Sequence, residues 1–186
     1  MASLQPLTAL GKREPVTVTH GPLTIAERCD VALASVAARK GRIADLSAAA
    51  QKAGVPLPGP ACHQAGAPCS AFWVAPEMWF VEAPHATHEL IADHLKSALG
   101  DAASVTEQTD AWAAFDLAAT DLAPLMERLC NVDFPAVPSG FATRTVIEHL
   151  GVYLVKHGPG AARLYGPRSS AESLLHALET AAHSAF

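Results

Sequence analysis

The chain has 186 residues, of which 50% are hydrophobic and 17% are charged. That length suits one domain, and that composition excludes disorder over most of the chain because enough apolar surface is present to form a core. Lys and Arg number 13 against 18 Asp and Glu, which gives a formal net charge of −5. With no basic cluster in view, nucleic acid and anionic membranes are excluded as favoured partners.

The N-terminal residues do not have the pattern of an export signal. In MASLQPLTALGKREP the basic residues follow the apolar run, whereas a secretory signal begins with them. No stretch approaches 18 consecutive apolar residues, so no membrane-spanning helix is expected. The four cysteines are few and scattered, which is typical of thiols that stay reduced inside the cell. We therefore expect a cytoplasmic protein.

Composition divides the chain into three regions. Residues 1–22 are polar and interrupted by Pro and Gly, which predicts an extended N-terminal arm. Residues 23–186 are predicted to form a single α+β domain. Within it, residues 54–69 contain four prolines and three glycines, so a long irregular loop is expected there. Loops of that length in a compact domain are often functional or interfacial.

The first predicted elements depend on alternation and on glycines that end helices. A strand is predicted within 23–39, where alanines blur the alternation, and a helix over 42–53 that ends at Gly54. Two strands are predicted over 72–74 and 78–83. A helix over 87–99 follows, and its apolar residues share one face up to the glycine that closes it.

The second half of the chain continues the same alternation of elements. Strands over 104–107 and 112–117 are predicted as neighbours, and a helix capped by Thr120 is predicted over 121–130. The last elements are a hairpin of 143–156 with 161–165 and a helix opened by a capping box of Ser169 and Glu172. From Met78 onward the predicted order is βαββαββα. This order contains the split βαβ units of ferredoxin-like domains, so the predicted class is α+β with helices on one side of an antiparallel sheet.

Candidate metal ligands are sparse. Cys62, His63 and Cys69 lie on the Pro-rich loop, but they lack a paired-cysteine spacing and a clear fourth ligand. His85 and His88 open a predicted helix without the Glu-x-x-His that would complete a zinc motif. We therefore predict loop and helix-start residues that hold no metal.

The remaining motifs do not predict an independent catalyst. The segment 166–170 precedes a helix, where backbone amides and Arg168 could bind an anion; alternatively Ser169 caps the helix and Arg168 lies in solvent. Asp93 and Glu127 are isolated on helical faces. The sequence has no glycine-rich nucleotide loop and no nucleophile elbow. We expect this chain to contribute no catalytic, cofactor-binding or metal-binding residue.

The segment 72–84, FWVAPEMWFVEAP, has the largest apolar side chains of any stretch in the chain. It contains two of the three tryptophans. Strand alternation sends Trp73 and Trp79 to faces opposite to their phenylalanine neighbours, Phe72 and Phe80. Because Trp is enriched in interface hot spots, we predict that these four residues form or border a surface for a larger partner. The alternative is that both tryptophans are core residues.

Five segments carry a family resemblance. The Trp-x-x-Pro-x-x-Trp of the hairpin is similar to a strand-turn-strand in gamma subunits of heterotetrameric sarcosine oxidases. Four further segments resemble that family in the same order along the chain: LASVAARKG at 33–41, VTEQTDAW at 105–112, the stretch 133–145, and PRSSA at 167–171. Their shared order identifies the chain as a member of the gamma-subunit family, whose fold is that of folate-binding aminomethyltransferase domains.

The resemblance implies a place in a larger enzyme. Such complexes oxidatively demethylate sarcosine to glycine, and they pass a one-carbon unit to tetrahydrofolate with release of hydrogen peroxide. FAD, FMN, NAD, tetrahydrofolate and zinc are implied on the partner alpha, beta and delta subunits. The gamma subunit is implied to bind no cofactor and to brace the large subunits.

A folate-binding or aminomethyltransferase-like protein is the alternative. Relatives that resemble folate-binding iron–sulfur assembly proteins carry Lys-Gly-Cys-Tyr-x-Gly-Gln-Glu where this chain has SGFATRTV at 139–146. Only Gly140 is retained, and the cysteine and the final glutamate are missing. The chain is also about half as long as a full aminomethyltransferase, and both differences favour the subunit interpretation.

Overall fold

The computed structural model describes residues 5–186, so the first four residues of the predicted arm lie outside it. The chain divides into two compact units. The first unit comprises the chain up to Cys29 together with 111–139 and 144–186, and the second comprises 30–110 with 140–143. Each unit combines a sheet with helices, which confirms the predicted α+β class. The single domain predicted over 23–186 stays a prediction.

The strands and helices are numbered in chain order. The strands are β1 (Thr17–His20), β2 (Leu23–Arg28), β3 (Val31–Ala38), β4 (His63–Gln64), β5 (Ser70–Ala75), β6 (Met78–Pro84), β7 (Ala103–Glu107), β8 (Trp112–Ala118), β9 (Ala142–Ile147), β10 (Leu150–Gly158) and β11 (Ala161–Pro167). The helices are α1 (Ile43–Ala53), α2 (His85–His88), α3 (Ile91–Leu99), α4 (Ala123–Leu129) and α5 (Ala171–Ala185).

The first unit contains a six-stranded sheet in the order β1-β2-β8-β11-β10-β9. Its core follows from alternation: Ala113, Phe115 and Leu117 of β8 point inward, and their neighbours point to the other face. Helices α4 and α5 cover this core with apolar residues at helical spacing, among them Leu174 and Leu178, which are fully buried. Each such leucine contributes about 1.5–3 kcal/mol through burial.

The second unit contains a five-stranded sheet in the order β4-β5-β6-β3-β7. Alternate residues of β3, namely Ala32, Ala34 and Val36, face the same core as helices α1 and α3. Helix α1 ends at Gly54, which has φ +69° and whose amide bonds back to the helix, as the sequence predicted. Small side chains on β3 leave room for large ones on the neighbouring strand β6.

Strands β7 and β8 are not neighbours, and the prediction that paired them is wrong. β7 pairs with β3 in the five-stranded sheet, whereas β8 lies between β2 and β11 in the other sheet. The physical cause lies in the residues between them. The Gln108 amide donates to the Leu33 carbonyl at 2.8 Å, and the Leu33 amide donates to Thr109 Oγ1 at 2.9 Å. These bonds hold the end of β7 against β3, so no tight hairpin to β8 forms.

Two predicted elements are interrupted. The helix predicted over 87–99 starts at Ile91, because Leu90 leaves the helical region with φ −98° and ψ 51° and separates the short α2 from α3. The strand predicted over 143–156 is two strands, β9 and β10, joined at a turn where Glu148 has φ 52°. A positive φ of this kind is incompatible with a continuous strand.

The predicted helix caps and part of the N-terminal arm also need correction. Thr120 does not cap α4; the Ala123 amide bonds instead to Asp121 Oδ1 at 2.9 Å. At α5 the N-cap is Ser170, which makes no side-chain capping bond, so the box of Ser169 and Glu172 is not formed. Residues 17–20 of the predicted arm are paired with β2 as strand β1.

Candidate functional site

The tryptophan hairpin lies in the second unit and is formed by β5 and β6. Its register pairs Phe72 with Phe80 and Trp73 with Trp79. The two indoles therefore share one face of the sheet and the two phenyl rings share the other, as alternation predicts. The phenyl rings meet edge to face with centroids 5.5 Å apart.

Burial distinguishes the four predicted interface residues. Phe72, Phe80 and Trp79 are 0%, 3% and 7% exposed, so they are buried within this chain. Trp73 is only partly buried, and it packs at the border of the core that contains Trp79. Of the four residues, Trp73 is the one that offers side-chain surface to another molecule. Its contact with a partner stays a prediction.

The Pro-rich loop closes over the buried indole. Trp79 Nε1 donates a buried hydrogen bond of 2.7 Å to the Pro58 carbonyl, which satisfies the one polar atom of that side chain. Farther along, the loop is regular: β4 pairs with β5, and the Trp73 amide donates to the Cys62 carbonyl at 3.0 Å. The irregular loop predicted over 54–69 is thus partly a sheet edge.

The Gly140 segment joins the other side of this loop. The His63 amide donates to the Gly140 carbonyl at 2.7 Å, and the Ala142 amide donates to the Ala61 carbonyl at 2.9 Å. Gly140 has φ +83°, and a Cβ added there would stand 3.4 Å from the His63 carbonyl oxygen. Glycine is therefore required by the backbone at this position. Sequence reasoning weighed Gly140 as a marker of folate binding and missed that it joins the Pro-rich loop.

The cysteines and histidine of the loop have different surroundings. Cys62 is exposed and Cys69 is buried, and burial raises the pKa of the Cys69 thiol. His63 lies between these extremes, on β4. Within residues 5–186 no group of three or more His, Cys, Asp or Glu side chains is placed to hold a metal ion.

The other candidate residues lie apart from the hairpin. His85 and His88 form the ends of α2, and Asp93 lies near the start of α3 with its carboxylate 3.4 Å from Lys96 Nζ. In the first unit, the Arg168 guanidinium donates to the Leu7 carbonyl at 3.0 Å. It therefore holds the N-terminal segment, a role that neither the anion-site nor the solvent interpretation included.

Sequence reasoning missed two buried charges in the first unit. Glu27 is 4% exposed, and its carboxylate accepts the amides of Leu10 and Val16, each at 3.1 Å. Lys156 is also 4% exposed, and its Nζ donates to two backbone carbonyls while it stands 4.4 Å above the Phe134 ring. Both residues occupy inward positions of alternating strands. The sequence signal that could have revealed both residues is a charged side chain at a strand position where alternation predicts an inward-facing apolar one.

A third charged group of the first unit lies on the opposite face of the sheet. Asp116 binds Arg163 through two hydrogen bonds and also pairs with Arg28. Burial alone would raise the pKa of Asp116, but the hydrogen bonds and charges of Arg163 and then Arg28 outweigh it and lower the pKa below its ordinary value. This carboxylate is held ionised by its partners.

Comparison with known proteins assigns the fold. No protein-family model matches the sequence, and no curated protein matches it. The solved heterotetrameric sarcosine oxidase from Corynebacterium sp. U-96, in complex with pyrrole 2-carboxylate, contains a similar chain with a TM-score of 0.76 at 21% identity. The match covers 90% of this chain and 87% of that one.

A second solved structure is similar over part of its length. The glycine cleavage system aminomethyltransferase T from Bartonella henselae matches with a TM-score of 0.59 at 12% identity. That match covers 82% of this chain but 44% of the aminomethyltransferase. The chain therefore has the fold shared by these two proteins and spans less than half of the second. No helix within residues 5–186 has the length and hydropathy needed to cross a membrane.

Proposed function

We propose that this chain is the accessory gamma subunit of a cytoplasmic heterotetrameric sarcosine oxidase. The observation that carries the proposal is mutual coverage: the fold match includes 90% of this chain and 87% of a sarcosine oxidase chain. Because this chain and the matched sarcosine oxidase chain have nearly the same length and the same fold, this chain could occupy the same position in such a complex. The ordered sequence resemblance to gamma subunits supports the same assignment.

The surroundings of the buried charges support a structural role. In the first unit, Glu27 and Lys156 bind backbone groups, and Asp116 is held by two arginines. In the second unit, the buried Glu82 carboxylate accepts the Ser70 hydroxyl at 2.7 Å. Each of these groups is engaged by the chain itself, which suits positioning rather than proton transfer to a substrate. The flavins, NAD, tetrahydrofolate and zinc then belong to the alpha, beta and delta subunits.

We propose Trp73 as the residue that faces the partner subunits. This indole is partly exposed, and it borders the Pro-rich loop through the bond between its amide and the Cys62 carbonyl. Partly buried tryptophan at the border of a rigid core is well suited to anchor a partner, because little side-chain entropy remains to be lost on binding.

The experiment is co-expression of this chain with tagged alpha, beta and delta subunits of a heterotetrameric sarcosine oxidase from the same source. We expect stoichiometric co-purification and sarcosine-dependent peroxide release, with all flavin on the other subunits. Trp73→Ala should fold and yet recover at least tenfold less complex. If the wild-type chain stays out of the complex, or if the purified chain alone retains flavin absorbance, the proposal is wrong.

Folate binding by the chain itself is a second candidate, which the structural similarity to an aminomethyltransferase favours. Calorimetric titration of the purified chain with tetrahydrofolate distinguishes the accessory subunit from the folate-binding protein. We expect no binding at micromolar concentrations, since the Cys and Glu of the compared motif are missing around Gly140. A dissociation constant of about 1 μM, near −8 kcal/mol, would favour the folate-binding protein over the accessory subunit.

A further inference from the structure

A histidine pair stands over a groove in the second unit, away from the tryptophan hairpin. The groove has a volume of about 690 Å³ and is lined by residues of α2, α3 and the break between them. His88 and His94 lie on this lining with ring centroids 5.4 Å apart and ring planes at 83°. The break at Leu90 separates the helix that contains His88 from the helix that contains His94.

The neighbouring threonine contacts one nitrogen of the His88 ring. Thr87 Oγ1 lies 3.3 Å from the Pro84 carbonyl oxygen and 2.9 Å from His88 Nδ1. In the tautomer with the proton on Nδ1, the hydroxyl oxygen accepts Nδ1–H and donates its own proton to the Pro84 carbonyl. This tautomer leaves the lone pair of Nε2 available. A ligating histidine is typically oriented in this way by an oxygen bound to its other ring nitrogen.

The sequence motif alone predicted no metal at His88; from the placement of His88 and His94 in the structure, we propose instead that the two form a capture site for a late first-row divalent metal ion. Imidazole nitrogens bind such ions at about 2.0–2.1 Å, which places the two ring centroids roughly 4.5–6.5 Å apart for the usual range of N–metal–N angles. The observed 5.4 Å falls within that range. Water completes the coordination, since no third protein ligand is in position within residues 5–186.

A site of two imidazole nitrogens and water determines which metal ions bind most tightly. Cu²⁺ binds nitrogen ligands most tightly in the divalent series and accepts a tetragonal site with water in its remaining positions. Ni²⁺ and Zn²⁺ follow, whereas Mg²⁺ and Ca²⁺ prefer oxygen ligands and are not retained. Glu89 and Asp93 also line the groove and add negative charge near the ion, although Lys96 offsets that of Asp93.

The test is titration of the full-length, tag-free chain with CuCl₂, followed by calorimetry and by the nitrogen hyperfine pattern in the electron paramagnetic resonance spectrum. We expect a pattern from two imidazoles that depends on His88 and His94. His88→Ala and His94→Ala should each weaken binding at least tenfold, and circular dichroism checks that they fold. Thr87→Val should weaken it about tenfold with both imidazoles intact.

Two matched variants complete the experiment. Ser97→Ala removes another side chain from the groove lining, and His85→Ala removes the other histidine of α2; each should change the affinity less than twofold. A second measurement needs no variant: Cu²⁺ should protect His88 and His94 of the wild-type chain from diethylpyrocarbonate. If the folded His88→Ala and His94→Ala proteins keep wild-type affinity, or if neither histidine is protected, the proposal is overturned.

Discussion

The cores of the two units are made from different kinds of side chain. The first core is rich in Leu, Ile and Phe, distributed over five strands and two helices. In the second core, nearly half of the buried residues are alanines, and Trp79 is the largest side chain among the rest. In the first unit burial energy is spread over many similar contributions, and buried charges fix the loops around the core. In the second unit a larger share of the burial energy depends on one side chain, that of Trp79.

The largest expected effect concerns that indole. Trp79→Ala should lower the free energy of unfolding by about 3–5 kcal/mol, because it removes a buried aromatic ring and leaves the Pro58 carbonyl without its 2.7 Å donor. Trp73→Ala, on the same face but partly exposed, is the matched control and should cost less than half as much. Urea denaturation measures both. Equal losses in the two variants would show that the second core does not depend on Trp79.

Lys156→Met tests whether the buried ammonium stabilises the first unit. Methionine keeps the apolar stem but cannot donate, so the Phe134 and Val137 carbonyls each lose a 2.7 Å bond. We expect a loss of about 2–3 kcal/mol in the free energy of unfolding and faster amide exchange in the loop around these residues. Lys156→Arg retains the charge and serves as the comparison. Unchanged exchange in Lys156→Met would mean that the ammonium does not anchor the loop.

Asp116→Asn gives a smaller, pH-dependent effect. The pKa of Asp116 is lower in the folded chain than in the unfolded one, so its pairing stabilises the fold fully above the unfolded value of about 3.9. That contribution is lost as the pH falls through the lower, folded pKa. We expect the variant to be about 1–2 kcal/mol less stable at pH 7. The difference from wild type should shrink below about pH 4. A constant difference from pH 7 to pH 3 would contradict the assigned cause.

The smallest effect is a difference in rate. The Cys69 thiol is buried with a raised pKa, whereas the Cys62 thiol on the same loop is exposed. Reaction with a disulfide reagent at pH 8 should therefore modify Cys62 at least tenfold faster. Peptide mapping by mass spectrometry identifies the modified residue. Similar rates at both cysteines would mean that the loop opens readily in solution.

The sequence predicted the elements whose signals are local. Helix α1 ends at Gly54, and alternation places Trp73 and Trp79 together on one face, because neighbouring residues determine both features. The pairing of strands was harder. β8 alternates cleanly, but its partners β2 and β11 lie far from it in the chain, and no local pattern encodes that choice.

The sequence predicted which residues form the hairpin, but it did not predict which other segments contact them. Aromatic content drew attention to the hairpin, but the bond from Trp79 to Pro58 and the contact of Gly140 with His63 join segments that are distant in sequence. A large aromatic side chain that binds a partner must be exposed, whereas one that stabilises the fold is buried. Since alternation alone does not decide between the two, the difference between Trp73 and Trp79 emerged only from the structure.

The division of each unit among separate chain segments has a consequence for synthesis on the ribosome. The second unit gains residues 140–143 only after most of the chain has been made, and until then the backbone groups of 61–63 that bind them remain open. Likewise β2 emerges long before β8, the strand that lies beside it in the sheet. Neither unit can therefore be completed while the chain is short. Pairing between residues far apart in sequence slows folding, so the nascent chain keeps strand edges exposed, and a chaperone that binds such edges would protect them.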